Sequence, residues 1–178
     1  MIYYWLRAFY IFFGGQFLWQ KVNLADDLSR VRKVSMLDCE GLHYMNNSKY
    51  LFYMDLIRFE ILFRTKLYNA TLKKGVYPIL GSQKIIYKKP LKMWSKFKIT
   101  LKLEGWDDKW VYHRQVFEQK GEINAIGYTK VAFWKHNKTQ DLHTILRESE
   151  INIPHKRPSK AVLEIFKNDY ELLKNEER

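Results

Sequence analysis

The sequence predicts an α+β domain in which one long helix packs against one curved antiparallel sheet. Two patterns carry this. Apolar residues recur at helical spacing from Ser48 to about Leu67. After Val76 the period changes to two, and at least four consecutive strand-like segments follow, up to Trp134. A third observation sets the scale. The 178 residues, 47% hydrophobic and 28% charged, suffice for one domain with a real core and are too apolar for a disordered chain. Only 8 Gly and 4 Pro exclude collagen-like and linker compositions.

The chain opens on MIYYWLRAFYIFFGGQFLWQ, Met1 to Gln20, whose only charge is Arg7. Its length approaches the about 20 apolar residues of a membrane span. Gly14, Gly15 and Gln16 interrupt it, however, and it lacks the basic start and cleavage site of a secretory signal. Trp and Tyr rings favour the membrane interface, where one edge stays wet. The expectation is a helix lying on a membrane or packed on a partner subunit. A spanning helix and a helix packed on its own domain are the alternatives.

Asp26 and Asp27 break this segment. Arg30 to Leu37 predicts a first strand with Val31, Val34 and Met36 as its apolar members. Asp38 to Asn47 reads as a loop, with Gly41 inside it and the helix-capping types Asn46, Asn47 and Ser48 at its end. In the long helix Leu51, Met54, Ile57, Ile61 and Leu62 form the stripe, widened by Phe52, Leu56, Phe59 and Phe63. Strands follow over Ile79 to Tyr87, through Phe97, Ile99, Leu101 and Leu103, and from Trp110 to Glu118. Gly105 to Asp108 and Lys120 to Glu122 are turns, and Ile123 to Trp134 is the last long strand. The polar tail predicts a short helix near Leu142 to Glu148 and a second from about Ser159 to Lys174, where Val162, Ile165 and Phe166 share a face. The expected divisions are 1–28, an aromatic N-terminal segment; 29–136, the α+β domain; and 137–178, a partly helical extension.

Lys+Arg number 31 against 19 Asp+Glu, a formal charge of +12. This favours a polyanionic partner. From Lys84 to Lys102 there are seven lysines and no acid. No zinc-ligand set or aromatic RNA-binding strand accompanies them, so nucleic acid is not an expected partner. The single Cys39 excludes an internal disulfide framework and fits a reducing, cytoplasmic compartment. Five His and one Cys show no ligand spacing for a metal, and no cofactor is expected.

The chemistry-bearing stretch is Asp38-Cys39-Glu40-Gly41-Leu42-His43-Tyr44-Met45-Asn46-Asn47-Ser48-Lys49-Tyr50-Leu51. It sets carboxylates just before a helix N-terminus, where free backbone N–H groups and partial positive charge gather. A thioester carbonyl docked there is polarised and its oxyanion stabilised. A carboxylate opposite it attacks the carbonyl or activates a water. Cys39 and His43 invite a thiol–imidazole reading, but no third group orients them.

The stretch resembles the hotdog-fold acyl-CoA thioesterases of the 4-hydroxybenzoyl-CoA thioesterase type. Their signature is an acid, three residues, a His-Val-Asn-Asn-like run, and a Tyr ten residues after the acid. Glu40, Tyr44 to Asn47, and Tyr50 stand at those positions. The subgroup called thioesterase superfamily member six also has the earlier acid, matched by Asp38, and a Gly-Trp-Asp-Asp run, matched by Gly105 to Asp108. A hydrophobic N-terminal segment is a further shared feature. The resemblance covers roughly Val31 to Trp134. It implies a hotdog fold, a long central helix wrapped by the sheet. It also implies a homodimer or tetramer with sites at the subunit interface, and hydrolysis of an acyl-CoA or acyl-carrier-protein thioester. Glu40 replaces the family's usual Asp, and Tyr44 its His, with His43 adjacent.

On this reading Glu40 is the catalytic nucleophile or general base and Asp38 the second candidate acid, although Asp38 reads more readily as a structural carboxylate bonded to the loop backbone. Tyr44, Met45, Asn46, Asn47 and Tyr50 border the substrate, with the backbone N–H groups of Tyr44 to Asn47 as carbonyl donors. Ser82 is a further contact. Lys88 and Lys89 are placed to meet phosphates or an acidic carrier. Asp55, on the helix, is a fallback acid. The alternative is a non-catalytic hotdog protein that binds acyl chains or acyl carriers at a membrane.

Overall fold

The computed structural model describes residues 2–41 and 43–176; Met1, Leu42, Glu177 and Arg178 lie outside the described residues. Helix α1 (Ile2–Phe13) runs into a π-helical turn at Gly14–Leu18. Strand β1 (Leu28–Lys33) leads through a 3-10 turn at Met36–Asp38 into a small hairpin of β2 (Cys39–Glu40) and β3 (Tyr44–Met45). The long helix α2 (Asn47–Arg64) and the short α3 (Leu67–Ala70) follow. Then come β4 (Tyr77–Tyr87), β5 (Lys96–Trp106), β6 (Val111–Gln119), β7 (Glu122–Lys135) and β8 (Lys138–Gln140). The chain ends in α4 (Leu142–Glu148), α5 (Lys160–Phe166) and α6 (Asp169–Glu176). The main sheet has the order β1-β5-β6-β7-β4, with every pairing antiparallel and β8 added to β7.

Helix α2 lies along the concave face of this sheet. Asn46 caps it, its Oδ1 accepting the N–H of Ser48 at 2.8 Å. Tyr50, Met54, Ile57 and Ile61 are buried on the sheet side. Opposite them β5 turns Phe97, Ile99, Leu101 and Leu103 inward, the alternation expected of a half-buried strand. Aromatic edges lock the layers: Tyr50 meets Phe117 at 5.0 Å between ring centroids, and Tyr53 meets Phe97 at 5.2 Å. The helix comes so near β7 that a Cβ on Gly127 would stand 2.3 Å from Met54 Cε. Glycine there allows the close approach.

Several expectations are corrected. The first strand runs Leu28–Lys33, and Val31 and Met36 point to solvent. The inward-leaning positions are Leu28, Arg30 and Arg32, because Glu60 is buried on α2 and takes Arg30 as its partner. Gly105 and Trp106 remain in β5, and the turn begins at Asp107, whose Oδ1 accepts the N–H groups of Lys109 and Trp110. The long tail helix is two helices, α5 and α6. They cover the sheet's outer face, with Phe166 against Tyr112 and Asp169 bonded to Lys130 at 2.7 Å. Helix α1 packs on its own domain, one of the expected alternatives, through Tyr3, Tyr4 and Phe12, which meet Phe52, Phe59 and Phe63 of α2, while Trp5 and Phe9 on its other face stay exposed. No helix among the described residues is long and apolar enough to cross a membrane.

Candidate active site

The site is built by a chain of small hydrogen-bonded turns. Ser35 and Asp38 form a capping box around the 3-10 turn. Asp38 is fully buried, and its Oδ2 accepts from Ser35 N, Ser35 Oγ and Tyr53 Oη at 2.9, 2.7 and 3.0 Å. The hairpin then sets Glu40 opposite Tyr44, with Gly41 at φ +59° in the turn between them.

Glu40 is exposed and folded back over the start of α2. Asn46 Nδ2 donates to Glu40 Oε2 at 2.6 Å while Asn46 Oδ1 caps Ser48. One side chain thus ties the carboxylate to the helix N-terminus. The N–H of Met45 donates to Leu91 O at 2.9 Å and that of Asn46 to Asp38 O at 2.8 Å. Those two donors are committed to the fold, which leaves the first helical residue, Asn47, best placed to meet a carbonyl.

The other expected site residues divide. Tyr44 is exposed and lines a surface groove of about 370 Å³ with Lys92, Lys120 and the ion pair of Lys89 and Glu122. Lys88 is the exposed neighbour of Lys89, and both backbone N–H groups donate to Asn124 O. Met45 and Tyr50 are buried. Tyr50 Oη accepts the N–H of Leu91 at 3.1 Å, and burial raises its pKa. Ser82 is not brought to this group. It pairs in register with Lys130, whose ammonium bonds Asp169 of α6 on the face of the sheet opposite α2. Cys39 donates to Ser35 O, and burial, reinforced by Asp38, raises its thiol pKa, so it is a thiol rather than a thiolate.

A second feature was not singled out from sequence. Between α2 and the inner face of the sheet lies a cavity of about 250 Å³ lined largely by apolar groups, with Asp55, Arg58 and His113 among its walls. Asp55 and Arg58 form an ion pair one helical turn apart, and burial raises the Asp55 carboxyl pKa against the pull of Arg58. Arg58 Nη1 and His113 Nδ1 have no hydrogen-bond partner among the described residues. The available signals were an acid and a base spaced i,i+3 on an otherwise apolar face, and a histidine between the inward Val111 and Phe117.

Burial, with Arg58 nearby, lowers the His113 pKa from 6.5 to about 3. The unfolded chain therefore takes up the proton first as pH falls. The stability that the neutral ring allows is present above pH 6.5 and is lost toward pH 3. At pH 5 this loss is about 2 kcal/mol relative to pH 7. Urea melts at both pH values check it: wild type loses that much more than His113→Leu. Asp55, with its raised pKa, is common to both proteins and drops out of the difference.

A model of the thioesterase-like superfamily matches residues 34–161. The chain belongs to the thioesterase-like superfamily, the class of thioester hydrolases that its motif resembles. Among curated relatives, Protein THEM6 of Drosophila melanogaster is 26% identical over 144 residues, 79% of this chain and 75% of the relative. Protein THEM6 of Xenopus laevis is 36% identical over 80 residues, 45% of this chain and 39% of the relative. Among solved structures, the YbaW probable thioesterase from Escherichia coli superposes with a TM-score of 0.63 at 20% identity, over 69% of this chain and 96% of that one. The fold is the hotdog fold that the motif implied.

Proposed function

We propose that this chain hydrolyses an acyl thioester, of CoA or of an acyl carrier protein, to a free acid and a thiol, with Glu40 as its catalytic carboxylate. The observation that carries this is the Asn46 bridge, which holds Glu40 over the N-terminus of α2. As general base, Glu40 takes a proton from water, and the hydroxide attacks the thioester carbon. As nucleophile, it attacks that carbon itself and forms an anhydride that water then opens. In either case the Asn47 N–H and the positive helix end face the developing oxyanion. Collapse breaks the C–S bond: on the base route the sulfur takes the proton that Glu40 holds, and on the nucleophilic route it leaves as thiolate and takes a proton from the water that opens the anhydride. Asp38 is fully buried with its Oδ2 bonded three times, and is assigned the support of this loop rather than the chemistry.

The groove beside Tyr44, with Lys89, Lys92 and Lys120, is proposed to hold the phosphates of the thiol carrier. The cavity behind α2 is proposed to take the acyl group. Strand β4 is an edge strand whose Ile79, Leu80, Ile86 and Tyr87 are exposed. Its pairing with a second copy would cover that edge and form the homodimer. Membrane association through residues 1–20, and a place in lipid metabolism, complete the reading.

The test is thiol release from acyl-CoA substrates of graded chain length. Steady turnover on at least one is expected. Tight acyl-CoA binding with no turnover on any length gives the chain to the non-catalytic, acyl-binding alternative.

A further inference from the structure

We propose that the outer face of α1 is a docking surface for an anionic lipid bilayer, on which the helix lies in the membrane plane. This deepens the membrane association proposed above and is independent of the hydrolytic chemistry.

The inner face of α1 is held by α2, with Ile11 buried and Phe12 set edge-on to Phe63 at 5.1 Å. The opposite face is Ile2, Trp5, Leu6, Phe9, Tyr10 and Phe13, spaced as one helical stripe and exposed along its length. Trp5 is 66% and Phe9 67% exposed, values usual for lysine rather than for these rings. Phe17 and Leu18 extend the stripe through the π-helical turn. No charge lies within it.

Charge identifies the occupant. The chain has no acidic residue before Asp26. Cations flank the stripe along the margin where α1 meets the domain. Arg7 donates to Tyr3 Oη at 2.8 Å, and Lys49 Nζ lies over the rings of Tyr3 and Phe52. At the other end Lys21 Nζ donates to Gly15 O at 2.7 Å, and Lys73 lies over Tyr68, which is edge-on to Phe12. An uncharged aromatic strip with a cationic margin matches a headgroup boundary: apolar side chains below, Trp and Tyr at the interface, Lys and Arg on anionic lipid. A second copy docked here would bring the same cations and no acid of its own N-terminal segment to answer them, since none stands before Asp26. Twelve residues make about 18 Å of helix, well short of the hydrocarbon thickness, so the helix lies flat. Lys49 belongs to the first turn of α2, so a docked molecule holds the Glu40–Asn46 end close to the lipid surface.

Flotation of the full chain with vesicles tests this. Wild type is expected to float with phosphatidylcholine–phosphatidylserine vesicles, at least about tenfold more than with phosphatidylcholine alone, and to be released by salt. The double variant Trp5→Glu, Phe9→Glu stays in the soluble fraction with its thermal melt unchanged. Should that variant not fold, quenching by brominated lipid replaces it: Trp5→Phe should lose most of the quenching that wild type shows. No flotation of wild type, or equal flotation of the folded variant, overturns the proposal. So does a self-association that the variant abolishes without any vesicle binding, which would give the face to a second copy. Hydrolysis of a short acyl-CoA in lipid-free buffer is the separate readout for the chemistry, and its absence leaves the flotation result intact.

Discussion

Glu40→Gln is expected to lower kcat for acyl-CoA hydrolysis by about 10²–10⁴ with little change in KM, the loss typical of removing a positioned general base. The amide keeps the volume, and its oxygen can still accept from Asn46, so the loop is preserved while the charge is removed. A nucleophilic role gives an equal or larger loss, since an amide cannot form the anhydride. Glu40→Asp separates reach from charge. The shorter acid withdraws by roughly 1 Å, which can cost about a hundredfold if the geometry is tuned to Glu. Thiol release, with circular dichroism to confirm folding, checks all three proteins. Equal turnover by wild type and Glu40→Gln would move the acid elsewhere. Asp55, in the cavity wall, is then the next test, because Asp38 is sealed under Ser35 and Tyr53.

The parts legible in the sequence were those whose signal is local. The cap at Asn46, the apolar stripe of α2 and the alternation of β5 each follow from neighbours in the chain. The parts misread depend on what lies across the fold. Nothing near Val31 says that it faces water. That follows from Glu60, thirty residues beyond Arg30, which is 1% exposed and draws Arg30 inward. Nothing near His113 says that its ring is sealed beside an Asp–Arg pair. The extra strand β8, Lys138–Gln140, is polar because it lies at a sheet margin, so its sequence looks like loop. The candidate site could be named at all because its motif is contiguous. What the sequence did not disclose is that Asn46 joins the carboxylate to the helix it caps, or that the Met45 and Asn46 N–H groups are already bonded.

Glu60→Ala is expected to destabilise the domain by about 3–5 kcal/mol, the usual result of removing one member of a buried ion-pair network. Glu60 Oε1 accepts from Arg64 Nη1 at 2.8 Å, and Oε2 accepts from Arg30 Nε at 2.9 Å. Arg64 in turn donates twice to Gln20 O, at 2.9 and 2.8 Å, and Arg30 lies over the Trp19 ring. One carboxylate thus joins α2, β1 and the segment that follows α1. Without it two guanidinium groups face each other in a chain already at +12, with the Arg64 side chain only 9% exposed. Urea denaturation gives the magnitude. The paired change Glu60→Leu, Arg64→Met should cost less than the sum of its singles, since it removes the orphaned charge along with its partner. Trypsin gives the location: cleavage at Lys21 should accelerate in Glu60→Ala before the rest of the fold opens, because the Gln20 carbonyl loses the anchored guanidinium that holds it. Urea midpoints unchanged by Glu60→Ala would mean that Arg30 and Arg64 find water or other acceptors, and that the network contributes little to holding the N-terminal segment in place.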